Sequence, residues 1–171
     1  MQTDKVSILD LPFKDKLFRF AYNIVGNVQD AEDIMQELLI KIWNRQEQYS
    51  GLDNKEAWCM TVTRNLAIDK VRSRKINTKD IDEFHHIRDH DHTQDKQMEA
   101  DESLKFVMDL VNDLPEKQRM IIHLRDVEGY SYKEIAEMLD TSLDFVKVSL
   151  HRARKSLKDE LLKRNFKKYD T

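Results

Sequence analysis

Apolar residues recur at intervals of three and four along this chain, which is the spacing of one face of an α-helix. The pattern runs from Phe13 to Ile24, from Ala31 to Ile42, from Trp58 to Leu66 and from Leu104 to Leu114. A further amphipathic stretch follows at 130–157. The pattern therefore predicts an all-α protein.

Capping residues indicate where these helices begin and end. Gly26 and Asn27 follow the first helix and tolerate the left-handed conformation of a helix end. Carboxylates from Asp30 onward favour the positive N-terminal end of the second helix. Residues 48–54 are interpreted as a connection, and Asn54 is predicted to cap a long third helix.

One face of the second predicted helix is polar with a single apolar residue inside it. Asp33, Gln36, Glu37 and Ile40 project away from the apolar stripe of that helix. A solvated face with carboxylates near the helix start would give the same spacing. The spacing alone therefore leaves both a contact surface and an ordinary solvated face open.

The stretch 130–157 predicts two short helices joined by a tight turn. Ser131 and Glu134 have the spacing of a capping box, in which each side chain bonds the other residue's backbone N–H. The turn is Asp140-Thr141-Ser142, and either hydroxyl can cap the next helix. The first of these helices has one apolar face, formed by Ile135, Ala136 and Leu139.

The second helix of this pair is amphipathic and basic. Its apolar stripe consists of Leu143, Val146, Leu150, Ala153 and Leu157. At about 100° per residue, the opposite arc centres on Asp144, Val148, His151, Arg152 and Lys155, with Phe145 and Lys147 at its flanks. This geometry is typical of a helix-turn-helix, whose second helix enters the major groove of DNA. An ordinary amphipathic surface helix is the alternative that the pattern leaves open.

The net charge of −3 conceals a segregation of charge along the 171 residues. Residues 51–75 carry six basic and three acidic residues, and residues 143–171 carry nine and four. Because both positive blocks lie at the ends of predicted helical units, they favour nucleic-acid binding. The first block contains the cations Arg64, Lys70, Arg72, Arg74 and Lys75, although a helix C-terminus attracts cations in any case.

Composition excludes several classes of protein. Three glycines and two prolines favour helices with short connections over sheets. No apolar run approaches the roughly 18 residues of a membrane span, and the N-terminus lacks the pattern of a signal peptide. Cys59 is the only cysteine, so no internal disulfide can form. We therefore expect a cytoplasmic protein without membrane insertion.

Residues 76–101 lose the helical period and carry three basic and eight acidic residues. They are interpreted as a flexible acidic linker between two small helical domains, residues 1–75 and 102–171. Four histidines here could ligate zinc, namely His85, His86, His90 and His92. Without a regular scaffold to fix tetrahedral geometry, a polar linker is favoured, and neither a metal nor a cofactor is predicted.

Three blocks of the sequence together resemble the extracytoplasmic-function (ECF) sigma factors, small two-domain bacterial transcription initiation factors. DAEDIMQELLIKIW at 30–43 resembles the helix that docks on core RNA polymerase. AWCMTVTRNLAIDKVRSRK at 57–75 resembles the promoter-melting helix. The stretch 114–157 resembles the C-terminal domain that binds the −35 element.

The resemblance implies a role for each group of residues. Asp33, Gln36 and Glu37, in the patch with Ile40, would meet the clamp coiled coil of the largest polymerase subunit. The loop Ser50, Gly51, Leu52, Asp53 and Asn54 would catch an extruded base of the −10 element, while the cations of the adjoining helix hold the strand. The −35 positions would be Lys147, Val148, His151 and Arg152, beside Lys155. The polymerase flap and an anti-sigma factor are further implied partners, and no catalytic residue is implied.

The sequence departs from the family's pattern next to the expected DNA groove. Where the family often has Thr-Val-Lys-Ser-Arg, this chain has Phe145-Val146-Lys147-Val148-Ser149. Apolar groups that could touch a thymine methyl thus replace a hydroxyl and a guanidinium, and we expect an altered promoter preference. Leu39 replaces a usual aromatic residue, and Cys59 replaces a usual leucine as a small buried residue.

Two other functions compete with this interpretation. A stand-alone helix-turn-helix regulator would explain residues 102–157 but would leave the blocks at 30–43 and 58–75 without a role. A metal-dependent hydrolase built on the His/Asp cluster is less favoured. The sequence shows neither a nucleophile–base constellation nor a Gly-rich phosphate loop to support an enzyme.

Overall fold

The computed structural model describes residues 11–77 and 98–169, and side-chain surroundings for 11–76 and 105–163. Within these ranges every regular element is helical, which confirms the predicted all-α class. The helices are α1 (Lys14–Val25), α2 (Val28–Asn44), α3 (Gln46–Ser50), α4 (Lys55–Asn77), α5 (Met98–Asp113), α6 (Glu116–Ile122), α7 (Tyr132–Met138) and α8 (Leu143–Tyr169). A π-helical segment, His123–Val127, directly follows α6.

The chain divides into two compact units. The first contains α1–α4, and the second contains α5, α6, the π-helical segment, most of α7, and α8. Helix α4 continues through Ile76 and Asn77, and α5 already begins at Met98. Regular helix thus covers both ends of the predicted linker, 76–101. The remainder of that linker lies outside the described residues, and it includes His85, His86, His90 and His92.

In the first unit, α1 packs against α2 and α4, and α2 packs against α4. Gly26 ends α1 with φ 79°, and its N–H donates to Tyr22 O at 2.8 Å, as expected for a left-handed cap. Asn27 instead has extended backbone and caps α2, because its Oδ1 accepts from Asp30 N–H at 2.8 Å. The core contains Leu17, Phe20, Ile34, Leu38, Ile42, Met60 and Thr63.

The second unit is built around the packing of α8 on α6 and α5. The predicted capping box is present, since Glu134 N–H donates to Ser131 Oγ at 3.3 Å and Ser131 N–H to Glu134 Oε2 at 2.7 Å. Ser142 supplies the cap of α8, because its Oγ accepts from Phe145 N–H at 3.1 Å. The core contains Leu114, Met120, Ile121, Leu124, Ile135, Val146, Leu150 and Ala153.

Two sequence expectations about these helices need correction. Residues 48–54 were expected to be a connection throughout, but Gln46–Ser50 forms a short helix whose Tyr49 is buried. Leu143 was placed on the apolar stripe of α8, but it is exposed. Leu143 is the first residue of α8 and follows an exposed turn residue, so it starts the helix before the buried stripe begins at Val146.

Candidate polymerase and nucleic-acid interfaces

The four residues of the predicted docking patch are all exposed on α2. Asp33, Gln36, Glu37 and Ile40 recur at helical spacing, and Ile40 is 59% exposed. The opposite face of α2 supplies buried residues to the core of the first unit. Trp43 continues the exposed stripe one turn beyond Ile40 and is 48% exposed. Its i+3 spacing from Ile40 could have placed it on the patch from the sequence.

The predicted −10 loop is attached to α4 by an aromatic contact. Ser50 closes α3, Leu52 is half-buried, and Asp53 and Asn54 are exposed. Asn54 caps α4 as predicted, because its Oδ1 accepts from Ala57 N–H at 2.9 Å. Before the loop, the ring of Tyr49 meets that of Trp58 edge-on, with centroids 5.7 Å apart. The aromatic pair therefore fixes the start of the loop against α4.

Cys59 lies beside this aromatic pair and is fully buried, as the sequence predicted. Burial raises the pKa of its thiol to about 12, and a hydrogen bond with the Tyr49 side chain opposes part of that rise. Burial also raises the pKa of the Tyr49 hydroxyl to about 12. Both groups are therefore neutral near pH 7, and Cys59 is an inert core residue at that pH.

The cations of α4 fall into two groups according to what they contact. Lys70 Nζ lies 2.8 Å from Asp33 Oδ2 and 3.5 Å from Asp30 Oδ1. Arg74 pairs with Asp30 and donates from Nη1 to Val25 O at 3.2 Å. By contrast, Arg72 and Lys75 are exposed and form no hydrogen bond or ion pair within the part of the chain that the structure describes.

These pairs hold the C-terminal part of α4 against the start of α2. Asp30 also accepts from Asn27 Nδ2 at 2.9 Å, and its side chain is only 16% exposed. Its carboxylate therefore joins the cap of α2 to Arg74 and Lys70 of α4. Arg64 is half-buried and donates from Nε and Nη2 to Asn65 Oδ1 at 3.0 and 2.7 Å. Of the five predicted cations, Arg72 and Lys75 are thus the most available to a ligand.

A surface depression of about 180 Å³ lies between α2 and α4 in the first unit. An aromatic ring, two aliphatic side chains and polar groups line it, namely Lys41, Arg45, Trp58, Val62, Asn65, Leu66 and Asp69. Lys41 and Arg45 are exposed and have no ion pair among the described residues. An aromatic face beside unpaired cations suits a nucleobase with its phosphate. The sequence placed Trp58, Val62 and Leu66 on one face of the third helix. It did not select Lys41 or Arg45, although they lie one helical turn apart, in the last turn of α2 and at its C-cap.

The predicted −35 residues form one continuous exposed arc on α8. Lys147, Val148, His151, Arg152 and Lys155 are all exposed, and the opposite face buries Val146, Leu150 and Ala153. None of the five has a hydrogen bond or ion pair to another described residue. Arg154 lies outside the arc and bonds Asp126 of the π-helical segment, with Nε 3.2 Å from Oδ2. That contact raises the pKa of the Arg154 guanidinium.

Besides Asp126, the π-helical segment contributes a second residue, His123, to a polar contact. His123 Nε2 lies 3.3 Å from Glu128 Oε1, and both side chains are buried. Among the described residues, no group of three or more His, Cys, Asp or Glu side chains could hold a metal ion. No helix in those ranges is long and apolar enough to cross a membrane.

The fold and these surfaces define a helical protein with a cluster of cations on α4 of its first unit and a helix-turn-helix in its second unit. Two families match the chain: Sigma-70 region 2 over residues 12–76, and Sigma-70 region 4 over residues 107–157. Together these matches include every exposed site residue described above. The stand-alone regulator is not supported, because it would leave the region 2 match unexplained.

Similarity to whole proteins leads to the same family. The chain is 33% identical to the ECF RNA polymerase sigma factor SigE of Mycolicibacterium smegmatis, over 87% of this chain and 58% of that protein. It is 31% identical to the RNA polymerase sigma-E factor of Streptomyces coelicolor, over 89% of this chain and 83% of that protein. The solved sigma factor RpoE of Bartonella quintana, in complex with the anti-sigma factor NepR, matches with a TM-score of 0.70 and 28% identity, over 87% of this chain and 91% of that one. This chain belongs to the ECF sigma factors of RNA polymerase and is a transcription initiation factor.

Proposed function

We propose that the first unit docks on core RNA polymerase through Asp33, Gln36, Glu37 and Ile40, with Trp43 extending this docking patch. The observation that carries the assignment is the exposure of all these residues on one face of α2, while the other face is buried in the core. A rigid helix that presents carboxylates around an apolar centre suits a basic, partly apolar partner surface. The proposed partner surface is the clamp coiled coil of the largest polymerase subunit.

The same unit, residues 1–75 in this proposal, would hold the opened −10 strand. The loop from Ser50 to Asn54 would receive an extruded base, and Trp58 in the α2–α4 depression would offer a stacking surface. Arg72 and Lys75 would meet the phosphates together with Lys41 and Arg45, because these cations have no intramolecular partner in the described part of the chain. Lys70 and Arg74 would mainly stabilise the fold. Arg64 would contribute to the −10 site through its hydrogen bond to Asn65.

The second unit, residues 102–171, would bind the −35 element through the α8 arc of Lys147, Val148, His151, Arg152 and Lys155. The arc is exposed and basic, and its N-terminal part follows a capped turn, as in a recognition helix. Residues 76–101 would link the two units and span the distance between the promoter elements. In this role the protein acts on the polymerase and the chromosome in the cytoplasm and catalyses no reaction itself.

Further protein partners follow from the same surfaces. We propose a contact between the second unit and the polymerase flap, and a cognate anti-sigma factor that covers one of the polymerase or DNA surfaces. The Bartonella relative was solved as a complex with the anti-sigma factor NepR. An inhibitor of this class would be detected by its competition with core polymerase for the chain.

The central experiment is reconstitution with bacterial core RNA polymerase and transcription from a library of randomised promoters. Replacing Asp33, Gln36 and Glu37 together by Ala should abolish co-elution with the polymerase, since the patch would lose its charges and hydrogen-bonding groups. A matched control replaces Asp15, Glu47 and Gln48 by Ala, which removes the same residue types from exposed positions of the same unit. Undiminished polymerase binding by the first variant would disprove the docking assignment.

A further inference from the structure

The exposed arc of α8 has an apolar residue at its centre. Val148 is 47% exposed, with Lys147 beside it and His151 and Arg152 on the following turn. Phe145, one turn before Val148 on the same side, is 39% exposed. Two large apolar side chains thus occupy the first two turns of a helix face that is otherwise polar and basic.

Phe145 is held at this face by a contact from another helix. Lys117, in the first turn of α6, places its Nζ 5.4 Å from the centre of the Phe145 ring. An ammonium over an aromatic face is attracted to it, and here the contact links α6 to the start of α8. The apolar pair therefore has a positive charge on its rim as well as along the arc.

We propose that Val148, supported by Phe145, reads the C5-methyl group of a thymine in the −35 element. The major-groove edges of the bases present hydrogen-bonding groups and one exposed methyl group, that of thymine. Valine can neither donate nor accept a hydrogen bond, so an apolar contact is the readout open to it. Residues near the start of a recognition helix are the ones that reach base edges, and Phe145 and Val148 are the third and sixth residues of α8.

The surrounding charge favours DNA over a protein as the occupant of this apolar pair. Lys147, Arg152 and Lys117 surround it, and none of them is paired with a described carboxylate. The inference rests on the proposed −35 function, and it adds the base that this surface selects. A contact with an apolar protein surface is the competing outcome that the experiment must separate.

The test begins with the holoenzyme bound to duplexes randomised across the −35 region. In the selected sequence, each thymine is then replaced singly by deoxyuridine, which removes only the methyl group. At one thymine we expect binding to weaken about three- to fivefold, as for the loss of one buried methyl. Val148→Ala should bind the thymine and deoxyuridine duplexes equally, and Phe145→Ala should reduce the difference between them.

Lys155→Ala serves as the matched control on the same arc, because it should weaken both duplexes alike and keep their ratio. The inference is wrong if selective −35 binding is found but no deoxyuridine substitution matters, or if the ratio survives in Val148→Ala. It is equally wrong if Val148→Ala weakens polymerase binding and leaves the ratio unchanged. A holoenzyme that selects no −35 sequence would instead overturn the proposed function, and the inference with it.

Discussion

The basic C-terminal part of α4 and the basic arc of α8 carry similar charge in the sequence, but their cations contact different partners in the structure. On α4, Lys70 and Arg74 face the carboxylates of Asp33 and Asp30 on α2. On α8, Lys147, Arg152 and Lys155 have no charged partner within the described residues. Charge clustering therefore identifies both surfaces as basic, and only the contacts show which cations also stabilise the fold.

This difference has a physical consequence for what each cation can offer DNA. A cation already paired with a carboxylate must give up that contact before it binds a phosphate, so the net gain is small. An unpaired exposed cation loses only water and counterions, and counterion release from DNA favours its binding. We therefore expect changes on α8 to affect DNA binding and changes at the paired cations of α4 to affect stability first.

The largest expected effect is that of Arg152→Ala on −35 binding. If Arg152 contacts a base edge, the variant should lose about 1–3 kcal/mol, or about 5- to 150-fold in affinity, and should lose preference at one position. If it contacts a phosphate, every sequence should weaken alike and the salt slope should fall by about one. Binding of the full chain to a panel of −35 duplexes at two salt concentrations distinguishes these cases.

Arg154→Ala is the matched control on the same helix. Arg154 is already paired with Asp126 and lies outside the arc, so its removal should change −35 affinity much less than Arg152→Ala does. Equal losses for the two variants would mean that general charge, and not the arc, determines binding. Paired and unpaired cations of α8 would then contribute equally to −35 binding.

Local sequence patterns predicted the elements that depend on neighbouring residues. The α8 arc, the Ser131–Glu134 capping box and the Asn54 cap each depend on contacts within about one or two helical turns. The sequence did not predict the bonds of Lys70 and Arg74 to α2, because those partners are far apart in the chain. The depression lined by Lys41 and Trp58 was missed for the same reason, since it requires α2 and α4 to be placed together.

Helical geometry predicted which site residues are exposed, but it did not predict which of them form ion pairs. Spacing placed Val148 and Arg152 on an exposed arc, and the structure agrees. Spacing placed Lys70 and Arg72 in one basic cluster, although one is paired and the other is not. The helical period shows which way a side chain points. Its availability to a ligand also depends on whether its charge is already paired with another side chain.

A smaller effect is expected for Arg74→Ala, measured as stability of the first unit. Removing Arg74 leaves the largely buried Asp30 carboxylate and Val25 O without this donor, which should cost about 1–2 kcal/mol of unfolding free energy. Trp43 and Trp58, the chain's two tryptophans, both lie in this unit, so their fluorescence during urea denaturation follows it alone. Reactivity of the buried Cys59 thiol provides a second measure, because its pKa of about 12 keeps it neutral and slow to react in the folded unit.

Arg72→Ala is the control for this measurement, since it removes the same charge two residues away without breaking an ion pair or hydrogen bond to a described residue. Its unfolding midpoint should match that of the parent chain. If Arg74→Ala is as stable as Arg72→Ala, the Arg74–Asp30 pair contributes nothing measurable to the fold. Arg74 would then return to the group of cations available for the −10 strand.

The smallest expected effect concerns Asp33, which is both a proposed docking residue and the partner of Lys70. A polymerase that takes up Asp33 would leave Lys70 with only its longer contact to Asp30, at 3.5 Å. The free chain should therefore gain affinity for a single-stranded −10 oligonucleotide when Asp33 is replaced by Ala. An exposed pair is worth about 0.2–1 kcal/mol, which corresponds to a gain of roughly 1.4- to 5-fold.

Glu37→Ala is the matched control, because it removes the same charge from the docking patch without touching Lys70. The gain specific to Asp33→Ala should disappear when Lys70→Ala is added, as a double-mutant cycle would measure. Equal gains for Asp33→Ala and Glu37→Ala would mean that reduced repulsion of DNA explains both, and that docking and strand binding are not coupled through this ion pair.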